Sequence, residues 1–282
     1  MRAYTAETDV LFFDVETTGL PPKGAKWEND FAQFPDIVQI SWSIGNKEKD
    51  YIIKPEGWDI PAEAAAIHGI TTEIALEKGT PFATVIDEFL TDAEKAPLIC
   101  AHNIYFDTSM IKANVLHYCG KQYYDEMCER QLDKAKRIDT MYKTIKFVGA
   151  LYANGRPGKF PKLEELHEKL FPGETFDAHN ALADVRALRR CLPELVKLEL
   201  IELKIKEYPA EPAEQSTFDF KKAPETPKQT ENKIEINDTE KVVAPGANGE
   251  NIPETNFEKA IAETAEPIAE KKTNPLLDDN EF

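Results

Sequence analysis

The chain has 282 residues and a formal net charge of −17, from 51 Asp+Glu against 34 Lys+Arg. That balance argues against a nucleic-acid binder working through a broad basic surface, and no apolar run approaches membrane-spanning length. The length leaves room for one substantial domain plus extra material.

From Pro209 onward there are 17 Asp+Glu against 8 Lys+Arg, eight of the nineteen prolines, and no Trp or Tyr. Such a segment cannot bury enough apolar surface to offset its chain entropy, so the expectation is a folded domain over 1–208 and a disordered acidic tail over 209–282. Cys100, Cys119, Cys128 and Cys191 show no C-x-x-C spacing, which fits free thiols in a reducing compartment. The start has no basic-then-apolar leader pattern, and a soluble, cytoplasmic protein with no membrane partner is expected.

Taken in chain order, "VLFFDVE" reads as a first strand, and "IVQISWSI" (37–44) alternates as a second. "DYIIKP" (50–55) reads as a third, giving the sheet an antiparallel start. "TPFATVIDEFL" has Thr80 as an N-cap and Pro81 at the first helical position. Its Phe82, Val85, Ile86, Phe89 and Leu90 follow the spacing of an amphipathic helix. "PLICAH" (97–102) is a short buried strand, followed by a helix carrying Met110 and Ile111, and "RIDT" (137–140) is one more strand. Leu163, Leu166 and Leu170 mark one closing helix. Leu182, Val185 and Leu188 mark the other, which Pro193 ends or kinks. This order predicts an α/β or α+β domain of three layers around a mixed sheet.

Asp14 and Glu16 stand in the first strand, and side chains at i and i+2 share a face. Two like charges on a partly buried face repel unless a cation holds both; a solvent-exposed strand end is the bland alternative. A second apolar strand runs into His102, Asn103 and Asp107, where Asp107 would equally serve as a helix cap. "DAHNALADVRAL" sets His179 five residues before Asp184 at the start of a helix, close enough for both to border one cleft. A surface histidine and a solvated helix face are the alternatives there.

D-x-E, then H-N-x-x-F-D, then H-x-x-x-x-D, in this order, resemble the three motifs of the DEDDh (DnaQ-like) 3′→5′ exonucleases, over about residues 8 to 200. "TTGL" after the first motif and "IHGIT" (67–71) add to the resemblance. It implies an RNase H-like fold with a central mixed β-sheet flanked by helices. It also implies two divalent cations, Mg²⁺ or Mn²⁺, which hard oxygen ligands suit and which in such sites lie roughly 3.5–4 Å apart. Asp14 would bridge them, Glu16 and Asp184 would complete the first site, Asp107 would support the second through water, and His179 would be the general base. Thr17, Thr18, Gly19, Leu20, His102 and Asn103 would hold the 3′ end of the substrate. His68 reads at least as well as a helix end capped by Gly69. Trp27, Phe31 and Phe34 read as packing the 21–36 segment onto the domain more readily than as stacking on nucleotides.

The leading expectation is therefore an exonuclease acting on DNA 3′ ends in proofreading or repair, resembling a proofreading polymerase subunit. An RNA-trimming member of the same family and an inactive polymerase-associated interaction module are the alternatives. In the tail, Gln215, Phe218 and Phe220 of "QSTFDF" resemble the peptide by which bacterial polymerases and their proofreading subunits dock on a sliding clamp, with chance as the alternative. "LLDDNEF", ending in Phe282, resembles the tip of bacterial single-strand-binding proteins.

Overall fold

The computed structural model describes residues 4–204. The expected boundary at Tyr208, the acidic tail and its peptide Gln215, Phe218 and Phe220 lie outside the described residues.

Five strands form one mixed sheet, and helices cover both its faces. In chain order the elements are β1 (Val10–Thr17), α1 (Trp27–Asp30), β2 (Ile37–Ile44), β3 (Lys47–Ile52), α2 (Ala62–His68), α3 (Thr72–Lys78) and α4 (Phe82–Lys95). There follow β4 (Leu98–Ala101), α5 (Ile104–Tyr118), α6 (Gly120–Tyr123), β5 (Arg137–Asp139), α7 (Thr140–Val148), α8 (Leu163–Leu170) and α9 (Ala181–Lys197). The sheet order is β3-β2-β1-β4-β5; β1–β2 and β2–β3 are antiparallel, β1–β4 and β4–β5 parallel. Among the described residues no helix is long and apolar enough to cross a membrane.

The period of two along β1 builds both layers. Leu11, Phe13 and Val15 enter one core with α4 and α5, while Val10 and Phe12 enter a second with α8 and α9. Phe89 of α4 is fully buried between Phe13 and Trp42, with ring centres 5.4 and 5.5 Å away. Each such side chain contributes about 1.5–3 kcal/mol by burial. The Trp42 indole N–H donates to Asp92 at 3.0 Å, so its polar atom is satisfied inside the core.

Three local expectations are corrected. β3 begins at Lys47 rather than at Asp50, because Gly45 (φ 56°) and Asn46 make a two-residue hairpin that pairs Ile44 with Lys47. Thr80 does not cap α4, since its backbone is spent on the neighbouring strand. Its N–H donates to Ile52 O at 2.9 Å and its carbonyl accepts from Lys54 N–H at 3.0 Å. Pro81 takes the N-cap position and Phe82 opens the helix. Gly79 permits this approach: a Cβ there would lie 2.3 Å from Ala75 O and 2.6 Å from Lys54 Cα. Of the two expected effects of Pro193, an end or a kink, the end is ruled out: it lies inside α9, which runs on to Lys197 with Leu192 and Leu195 still packed inward. The four cysteines are free thiols. Trp27 and Phe34 pack against the core, with Trp27 5.6 Å from the Tyr124 ring.

Candidate active site

Asp14 and Glu16 follow Val10 and Phe12 on the α9 side of β1, at the point where the apolar face gives out. Asp184 in the first turn of α9 meets them there. One carboxylate oxygen from each of the three lies within 4.8 Å of the others. Asp107 enters from α5. β4 ends at Ala101, which leaves the far half of β1 unpaired on that side, and the Asp107 carboxylate accepts the Val15 N–H at 3.3 Å. It is 2% exposed and stands outside the group of three.

Four acids at such close quarters distort one another's titration. Burial, then Asp107, Asp184 and Glu16, hold the Asp14 carboxyl well above the usual carboxylate range. Burial and Asp184 push Glu16 up to about 8. Asp184 rises to about 7, mainly through burial, against the pull of the His179 N–H and with Glu164 and Asp177 adding to it. Burial also raises Asp107, opposed by backbone N–H groups, with Asp139 and Glu16 adding. A cluster that traps protons for want of positive charge, with only oxygen donors, fits a hard divalent cation.

His179 lies two residues ahead of α9 rather than within it, at φ 66°. The Asp184 carboxylate accepts its N–H at 3.1 Å, while its half-exposed ring has Nε2 3.9 Å from Glu164 Oε1.

The residues expected around the substrate are less uniform. Thr17 Oγ1 donates to Gly19 O at 2.7 Å, and Thr18 Oγ1 accepts the Asp36 N–H at 3.0 Å, so the turn after β1 is self-braced. Nothing lies within 4 Å of the open side of Gly19, and Leu20 is 72% exposed. His102 spends both ring nitrogens inside the protein. Its Nε2–H donates to Pro161 O at 2.8 Å, and its Nδ1 pairs with the Thr140 hydroxyl at 3.0 Å. Burial lowers it to about 4, so it is neutral at physiological pH. Asn103 adopts φ 70°, and its side-chain oxygen is buried without a partner. His68 ends α2, and the Gly69 cap at φ 76° returns its N–H to Ala65 O.

Asp139 was legible only as a strand residue. It caps α7 through the Tyr142 N–H at 3.0 Å. Burial raises its carboxyl, against further backbone N–H groups of Asn103, Ile104 and Met141. It thereby ties the start of α5, and so Asp107, to the end of β5. An Asp followed by Thr at a strand-to-helix junction is the cap signature that could have pointed to it.

The sequence model of the exonuclease family matches residues 11–192, more than half the chain. The chain belongs to this family. The order of its acids sets this exonuclease among the DEDDh, DnaQ-like members. Among solved structures, product-bound exonuclease I is similar at 20% identity and a TM-score of 0.51, covering 69% of this chain and 45% of that one. Escherichia coli exonuclease I in complex with a dA16 oligonucleotide is similar at 22% and 0.51, covering 68% and 41%. The same enzyme with a dT13 oligonucleotide gives 21% and 0.50, covering 67% and 41%. At this identity the likeness is one of fold, and the match spans under half the length of exonuclease I. No curated protein matches the exonuclease described here.

Proposed function

We propose that this exonuclease is a metal-dependent 3′→5′ enzyme that removes nucleotides from DNA 3′ ends, in proofreading or repair. The convergence of Asp14, Glu16 and Asp184 carries the reading. Asp14 would bridge two divalent cations, Mg²⁺ or Mn²⁺, with Glu16 and Asp184 on one of them and Asp107 supporting the other. Bound there, the cations supply a nucleophilic hydroxide and neutralise charge on the phosphoryl group. They also give an acidic chain a positive centre for a polyanion.

The protein's own groups do the rest. His179 takes the proton of the attacking water, with Glu164 beside it to orient the ring. Exposed Leu20 wedges against the terminal base, and the braced Thr17, Thr18 and Gly19 turn lines the end of the strand. Asn103 touches the sugar or phosphate of the terminal nucleotide. His102 acts from behind by holding the turn that carries Asn103. DNA is favoured over RNA because the similar solved structures hold deoxyoligonucleotides. The assay is shortening of 5′-labelled single-stranded DNA and RNA with Mg²⁺ or EDTA. Loss from the 3′ end of DNA, only with metal, is expected; faster RNA trimming would move the enzyme to the RNA-processing side of its family, and no hydrolysis at all would leave an interaction module.

His179→Ala should lose about 10²–10⁴-fold in rate while keeping DNA affinity. A base must be neutral to accept a proton, so wild-type activity should rise with pH on the acidic side and then flatten. If the variant keeps the same acidic limb, another group is the base.

Gln215, Phe218 and Phe220 would tether the enzyme to a sliding clamp, beside a replicative polymerase. Titration of a labelled 209–282 peptide with the clamp should lose its signal when all three become alanine; equal binding by both peptides removes the tether.

A further inference from the structure

Residues 140–163, from α7 to the start of α8, hold no Asp or Glu but five cations: Lys143, Lys146, Arg156, Lys159 and Lys162. No longer run without an acidic side chain occurs in the sequence. At the chain's average of 51 acids in 282 residues, it would carry about four. The middle of this run is a small exposed arm. Leu151 pairs antiparallel with Pro157, the Tyr152 N–H donates to Arg156 O at 2.9 Å, and the Gly155 N–H donates to Tyr152 O at 2.8 Å. Residues 153–158 are exposed, and so is Leu151, at 57%. The Arg156 guanidinium stacks on the Tyr152 ring, 4.5 Å from its centre. Neither Arg156 nor exposed Lys162 makes an ion pair with any described residue. The acids that bound the run are engaged elsewhere. Asp139 caps α7, Glu164 faces His179, and Glu165 accepts the Lys162 N–H at 2.8 Å and lies 3.7 Å from Lys159. A basic arm with exposed apolar surface, on an otherwise acidic chain, suits a polyanion.

The arm is rooted at the carboxylate cleft. Pro161, buried at its base, accepts the His102 Nε2–H at 2.8 Å, beneath the turn that carries Asn103. Three residues on, Glu164 Oε1 is 3.9 Å from Nε2 of His179, the proposed base. Arg156 is five residues from Pro161, at most about 18 Å of extended chain. Phosphates follow one another about every 3.4 Å along one strand of DNA, so that reach covers no more than about five nucleotides.

We propose that residues 150–162 form a nucleic-acid arm, in which Arg156 and Lys162 hold backbone phosphates of the strand upstream of the bond cleaved at Asp14, Glu16 and Asp184. The arm rests on the exonuclease reading. Its test is the double variant Arg156→Gln/Lys162→Gln in the full chain, which removes two exposed charges that pair with nothing and should melt as the wild type does. Two substrates are compared: a single-stranded oligothymidylate long enough to reach the arm, and the p-nitrophenyl ester of thymidine monophosphate, whose single phosphate sits at the metals. At limiting substrate and near 0.1 M salt the oligonucleotide-to-ester rate ratio should fall about tenfold. The log–log salt slope of the oligonucleotide rate should shrink by about 1.4 units, about 0.7 for each single-strand phosphate released. An unchanged ratio with an unchanged slope overturns the arm and leaves a solvated basic face; wild-type binding to phosphatidylserine vesicles would then assign that face to a membrane surface. Equal losses on both substrates overturn it too, because the defect then lies at the metals. If the wild type hydrolyses neither substrate, the exonuclease reading fails. Oligothymidylate anisotropy then decides the arm, and equal affinity of variant and wild type overturns it.

Discussion

Asp14→Asn should abolish hydrolysis, by at least about 10³-fold, while the domain melts no lower than wild type in EDTA. The substitution preserves shape on β1 and removes one charge from a face where Asp107, Asp184 and Glu16 all repel it. Metal-free protein therefore gains or holds stability as the site loses its bridging ligand. Alanine at Glu16, Asp107 or Asp184 should act in the same direction, because the cluster has no spare acid. Near-normal turnover of Asp14→Asn at any Mg²⁺ concentration would sink the metal mechanism.

Metal-free stability should fall as pH rises, the reverse of ordinary acid denaturation. Glu16 is raised from 4.5 to about 8 and Asp184 from 3.8 to about 7 in the folded state. Between the unfolded and folded values the native protein binds more protons than the unfolded chain. The linkage slope is then negative: the stabilising proton is fully present below about pH 4 and is lost by about pH 8. A divalent cation displaces those protons, so the gain in Tm from Mg²⁺ should be small in acid and large at the alkaline end. Melting curves across that window, with EDTA or Mg²⁺, read both effects, and Glu16→Gln should flatten the EDTA series. A flat EDTA series in the wild type would mean that the cluster is solvated and its carboxylates ordinary.

The sheet and its principal helices could be read from spacing: β1, β2 and β4 are buried on both faces and show as short, largely apolar runs, while α4, α8 and α9 bury one face and show as stripes. α7 escaped notice because its buried side is Thr140, Met141 and Thr144, too polar to form a stripe. The start of β3 was hidden by Lys47, Glu48 and Lys49, charges suited to an edge strand. At the site, the carboxylates announced themselves as acids in apolar surroundings. The bracing of His102 did not, because its partners Thr140 and Pro161 lie 38 and 59 residues away in the chain.

The alternation along β1 ties chemistry to architecture at the level of heredity. A deletion of one codon between Leu11 and Asp14 would turn every later side chain of the strand over, sending an acid among Phe89 and Ile86 and the Val15 side chain to where the metals would bind. Loss of activity by such a frame-preserving lesion cannot be separated from loss of the domain. Inactive descendants of this chain that still fold should therefore carry point substitutions at the carboxylates and keep the length of this strand.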